Sequence, residues 1–146
     1  DEPWVLWCGL NDEADLLTEL IPGAVNVKGS MTPEEKAREL LAFADGETLV
    51  LITKPSLAAF GLNWQHCARM GFVGLSDSYE AYYQAIRRCY RYGQHRVVDV
   101  HVFLSEIEAQ IAVNIARKES EASAITADLV TAMQAARATN QERVAA

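Results

Sequence analysis

Residues 32–53 read T-P-E-E-K-A-R-E-L-L-A-F-A-D-G-E-T-L-V-L-I-T. Two hydrophobic periods meet in this stretch. Thr32 can cap the backbone amides of a helix, Pro33 suits its first position, and Glu35 completes a capping box. Ala37, Leu40, Leu41 and Ala44 then give that helix one apolar face. Leu49–Thr53 is apolar throughout, as expected of a strand buried by helices on both faces of a sheet.

The same alternation extends in both directions. Trp4–Cys8 predicts a buried first strand, and a helix follows from about Asp12 to Ile21, stopped by Pro22-Gly23. Ala24–Val27 is a second strand and Phe72–Leu75 a fourth. Asp77-x-x-Glu80 opens a helix expected to run to Tyr92, with Gly93 ending it. Val97–Leu104 is the fifth strand. Strand–helix alternation of this kind implies an α/β fold with a mostly parallel sheet of five or six strands.

From Ser105 onward the chain reads as helix. Ile107, Ile111 and Ile115 are four apart, as are Ile125, Leu129 and Met133, and Ser120–Ser123 predicts a break between two helices. The division expected is a lobe over 1–104 and a helical extension over 105–146. That extension either packs on the lobe or bridges to a further domain.

The 146 residues are one domain's length, half of them hydrophobic and 23% charged, which excludes a disordered chain. No run of about 18 apolar residues is present to span a membrane. No secretory signal opens the chain. It begins without methionine, so it is expected to be a piece of a longer protein. Cys8, Cys67 and Cys89 form neither a C-x-x-C nor a disulfide framework, which points to an intracellular setting, cytoplasm or nucleoid.

The net charge of −7 is unevenly spread. Residues 1–48 carry 11 acids and 3 bases, 49–96 carry 2 acids and 6 bases, and 97–146 carry 7 acids and 4 bases. The acidic total argues against a free-standing, non-specific nucleic-acid binder but leaves room for a local basic site in the middle third.

Several chemistries are excluded by spacing. G-x-x-x-x-G-K-[ST] and G-x-G-x-x-G are both absent, and Gly74-Leu75-Ser76 lacks the second glycine of a nucleophile elbow. His66, His95 and His101 have no metal-ligand spacing, so no metal site is assigned. Asp12, Glu13, Asp15, Glu34 and Glu35 fall in first helical turns, where acids favour the helix dipole.

Residues 84–94, Q-A-I-R-R-C-Y-R-Y-G-Q, are the informative segment. On a helix Gln84, Arg88 and Arg91 fall at i, i+4 and i+7 and share a face. Two guanidiniums one turn apart repel unless an anion or carboxylate lies between them. Arginine forks suit phosphate. The plain alternative is a basic helix face paired with acids.

This segment resembles motif VI of Swi/Snf-like superfamily-two helicases, Q-A-x-x-R-x-x-R-x-G-Q, matching at Gln84, Ala85, Arg88, Arg91, Gly93 and Gln94. Gly61-Leu62-Asn63 resembles motif V. Lys28-Gly29-Ser30, ahead of the Thr32 helix, resembles the loop after the second strand. The resemblance covers about residues 4–104.

It implies the C-terminal RecA-like lobe of a DNA-dependent ATPase, a three-layer α/β domain. ATP with Mg2+ would be held mainly by an absent N-terminal lobe of the same protein. Arg88 and Arg91 would then be arginine fingers, and Gln84 would position them or the attacking water. Gly61 would let the backbone approach the nucleotide, and Asn63 would face its ribose. Lys28, Gly29, Ser30 and Lys54 would contact the phosphate backbone of duplex DNA, and the isolated chain would be catalytically silent.

The stretch 54–60, K-P-S-L-A-A-F, departs from the Gly-rich sequence of relatives, and Pro55 removes an amide donor. Trp64 replaces an aliphatic residue and either stacks on a base or fills core. Two other readings remain at this stage: a non-catalytic α/β interaction module whose arginines bind an acidic partner, and a small-molecule phosphate binder.

Overall fold

A computed structural model describes residues 2–60 and 62–145. The elements in order are β1 (Trp4–Cys8), α1 (Asn11–Leu20), β2 (Ala24–Asn26), α2 (Pro33–Ala44), β3 (Val50–Thr53), a 3-10 segment (Pro55–Phe60), β4 (Arg69–Val73), α3 (Tyr79–Ile86), β5 (Asp99–Phe103), a short 3-10 turn (Glu106–Glu108) and α4 (Ala109–Ala145). The five strands pair in the order β2-β3-β1-β4-β5, all parallel.

β1 is central, with Val5 facing Leu51 of β3 on one side and Met70 of β4 on the other. Side chains alternate across a strand, and here the alternation separates two cores. Val5, Trp7, Leu51, Met70 and Phe72 meet Leu40 and Phe43 of α2 and Ala85 of α3. Leu6, Cys8 and Ile52 face the other way, onto Ala14 of α1. Helices on both faces of a parallel sheet make the three-layer α/β domain expected from the sequence.

The α2 start is as read: Thr32 Oγ1 accepts from the Glu35 N–H at 3.2 Å, and a Glu35 carboxylate oxygen accepts from the Thr32 N–H at 2.8 Å. Three other expectations need correction. β4 begins at Arg69 and ends at Val73, because Gly74 turns the chain with φ of +74°. α3 is capped by Ser78, whose hydroxyl accepts from the Ala81 N–H, and it ends at Ile86 rather than Tyr92. α4 crosses Ser120–Ser123 without a break.

α4 packs against the start of α3. Asn114 and Lys118 reach the Asp77 side chain and carbonyl, and Ala122–Thr131 borders a groove with Tyr79 and Tyr83. No helix among the described residues is long and apolar enough to cross a membrane.

Candidate functional site

Arg88 and Arg91 sit on the turn that follows α3, not on a helical face. Arg88 and Cys89 donate their N–H groups three residues back, to Ala85 and Ile86, which tightens the chain beyond an α-helix. The carbonyl of Arg88, which a continued helix would offer to Tyr92, instead accepts from the Trp64 N–H at 2.9 Å. Gln84 remains exposed on α3, and no hydrogen bond joins it to either arginine among the described residues.

The loop ahead of β4 braces this turn residue by residue. Asn63 Oδ1 accepts from the Arg91 guanidinium, and Trp64 holds the Arg88 carbonyl. Gln65 donates to the Tyr92 carbonyl, and Arg96 donates to the His66 carbonyl. Gln94 donates to the Cys67 carbonyl at 3.0 Å. Gly93 serves the brace twice. Its φ of +91° is open to glycine at little cost, and a Cβ there would come within 3.1 Å of Gln65 Nε2.

Trp64 resolves the choice left open for it. It is 2% exposed and packs edge-on to Phe43 at 5.5 Å and against Trp7 at 5.8 Å. The indole is core, and its burial anchors the loop from which Asn63 projects.

The electrostatics of the turn are unbalanced. Among the described residues neither Arg88 nor Arg91 is in an ion pair. The Nε of each is buried, with no hydrogen-bond partner among the described residues. Burial, and then the charge of Arg91, holds Arg88 below the usual arginine range. Orphaned buried donors cost about 1–3 kcal/mol each, and like charges side by side add to that. Among the described residues the acid-paired basic face considered from sequence does not form.

A second cluster lies at the carboxyl ends of the strands. Lys28, Gly29, Ser30 and Lys54 come together around a cleft of about 410 Å³, with Asn11, Asp15, Ser56 and Leu57 completing its walls. Parallel packing of β1, β2 and β3 puts their following loops at one edge, where ligands of open α/β sheets collect. Lys28 Nζ is already paired with Asp15 at 2.6 Å, both about half exposed. Lys54 has no such partner among the described residues. Gly61 lies outside the described residues.

Sequence reasoning did not find Gln65, His66 and Cys67 as braces, nor Asp15 as a wall of the cleft. Gln94 was matched by pattern alone, without a role. Burial and then the Glu13 carboxylate push the Cys8 thiol up to about 11, which disfavours its thiolate.

Residues 6–93 match the family model described as the helicase conserved C-terminal domain. Among solved structures the chain is similar to the C-terminal part of the Fun30 ATPase domain, with TM-score 0.69 and 17% identity over 78% of this chain and 39% of that one. It is similar to the C-terminal domain of the DEAD-box protein Dbp5, with TM-score 0.65 and 17% identity over 82% of this chain and 71% of that one. A variant S. cerevisiae Dbp5 C-terminal domain bound to a Gle1 variant and IP6 matches with TM-score 0.69 and 16% identity, over 81% and 70% of the respective chains. These identities make the likeness one of fold. The chain spans well under half of the Fun30 chain it matches. No curated protein matches it.

Proposed function

The chain belongs to the helicase conserved C-terminal domain family, and on that premise we propose that it is the second motor lobe of a Swi/Snf-like, DNA-dependent ATPase. Residues 1–104 form the lobe and 105–146 a helical extension. ATP with Mg2+ would be held on an N-terminal lobe of the same protein, which supplies the phosphate loop and the metal-binding acids. The setting is intracellular.

The observation that carries this reading is the pair Arg88 and Arg91, two like charges on one braced turn with no ion-pair partner among the described residues. The chain's own chemistry is to present those guanidiniums to phosphate oxygens. Charge building on a transferring phosphoryl group is then met by cationic donors held on a braced turn. Gln84 is assigned a water- or finger-orienting role on closure of the lobes. Lys28, Gly29, Ser30 and Lys54 hold the nucleic-acid backbone in their cleft, which positions the strand without reading sequence. The preference for duplex DNA rests on the six-position match of residues 84–94 to the Swi/Snf-like pattern.

Arg91→Ala in the full-length protein tests the reading. ATP binding should persist while turnover falls by 10³ or more, the range expected for an arginine finger. Arg88→Ala should do the same. If turnover survives and capture of an acidic protein is lost instead, the chain is an interaction module.

A further inference from the structure

The Arg91 guanidinium has one hydrogen-bond acceptor among the described residues, Asn63 Oδ1, on a loop distant in sequence. Arginine has four side-chain torsions, and its rotamer entropy opposes holding it still. Arg88, a like charge nearby, pushes it away. An aspartate in place of Asn63 would hold the guanidinium but cancel its charge. A neutral amide oxygen holds it and leaves the charge free. Asn63 is itself exposed, yet its neighbour Trp64 is core and bonded to the Arg88 carbonyl, so the amide is delivered from a fixed point.

We infer that Asn63 is a positioning residue that fixes the orientation of the Arg91 guanidinium toward phosphate without neutralising it. This rests on the arginine-finger reading above and deepens it. It also differs from a ribose contact in what it forecasts. Loss of a positioning bond lowers kcat and spares KM. Loss of a ribose contact raises KM for ATP and not for 2′-deoxy-ATP.

The test uses the full-length protein and two readouts. The first needs no nucleotide: modification of Arg91 by phenylglyoxal, followed by peptide mass spectrometry. Asn63→Ala should accelerate modification at Arg91 severalfold and leave the melting temperature near that of the parent. Asn63→Asp should keep Arg91 protected. The second readout is turnover. Asn63→Ala should lower kcat about tenfold or more, the order expected for one hydrogen bond to a charged group. KM for ATP and for 2′-deoxy-ATP should be unchanged. Asn63→Asp should also lower kcat, because the finger is held but its charge is cancelled. Combining Asn63→Ala with Arg91→Ala should be no worse than Arg91→Ala alone.

The inference is overturned if Asn63→Ala leaves Arg91 reactivity unchanged. It is equally overturned if kcat is kept while KM rises for ATP only. Should Arg91→Ala itself leave turnover intact, it is the finger reading that has failed, and the phenylglyoxal arm still reports whether Asn63 holds the side chain.

Discussion

The main-chain N–H of Trp64 donates to the carbonyl oxygen of Arg88 at 2.9 Å. One of the largest core side chains is therefore tied directly to the segment that carries both guanidiniums. Packing between Trp7 and Phe43 sets where Trp64 sits, and Trp64 sets where the arginine turn begins.

Trp64→Ala should therefore act first on stability. Truncating a buried tryptophan costs about 3–5 kcal/mol. Trp64→Phe should cost less, since it keeps a ring against Phe43 and removes a buried indole N–H that has no partner among the described residues. Urea unfolding of the variants measures both. Undiminished stability with weakened DNA binding would mean that the ring stacks on a base after all.

The cleft makes a forecast in salt dependence. Lys54→Ala should weaken nucleic-acid binding about equally for all sequences and reduce the slope of log K against log salt by roughly 0.9. Lys28→Ala should do less, because Asp15 already competes for that ammonium. Asp15→Asn should free Lys28 and tighten binding. A titration series from low to moderate salt distinguishes the three variants, and an unchanged slope for Lys54→Ala would remove that lysine from the interface.

His66 gives the fold a pH signature. Burial, and then the charge of Arg96, holds its imidazole below the usual 6.5, against smaller opposing effects from the Phe43 backbone and Asp45. As pH falls through 6.5 the unfolded chain takes up a proton before the folded one does. Stability contributed by neutral His66 is thus full above about 6.5 and declines as pH falls toward the lower folded value. Glu35 and Glu108 are held below 4.5 chiefly by backbone N–H bonds at Thr32 and Ser105, so their contribution is present above 4.5 and is lost at still lower pH. His66→Gln should flatten only the upper decline in melting temperature between pH 7 and 5. A curve unaltered by that substitution would assign the decline to other groups.

The 146-residue chain alone should not turn over ATP, with or without DNA. On the two-lobe proposal it contributes arginines only, and its sequence has no phosphate loop. Sustained release of inorganic phosphate by the purified chain would contradict the division of labour between two lobes.

Local chemistry made much of this molecule legible before any coordinates. The Thr32–Glu35 box marks the start of α2 because both of its hydrogen bonds span only three residues. β1 and β3 stand out as unbroken apolar runs because helices cover them on both faces. β4 was harder. Arg69-Met70-Gly71 does not look like a central strand, yet Arg69 is paired with Glu2 and Asp99, and Gly71 leaves room for Leu6 and Phe103 on neighbouring strands. Those partners lie on β1, on β5 and on the segment ahead of β1, so no window of sequence contains them.

The arginine segment shows the same boundary most sharply. Residue types and spacing in 84–94 single out Arg88 and Arg91 as candidates, since guanidinium chemistry belongs to the residues themselves. They also predicted a helix through Tyr92, because periodicity is the only signal available locally. The tertiary structure ended that helix at Ile86: the Arg88 carbonyl found the Trp64 N–H, and Asn63 took the Arg91 guanidinium. Composition and pattern determined the layers and the chemistry of each segment's side chains; orientation was decided by hydrogen bonds between segments far apart in the chain, whose free energy exists only once the core has brought them together.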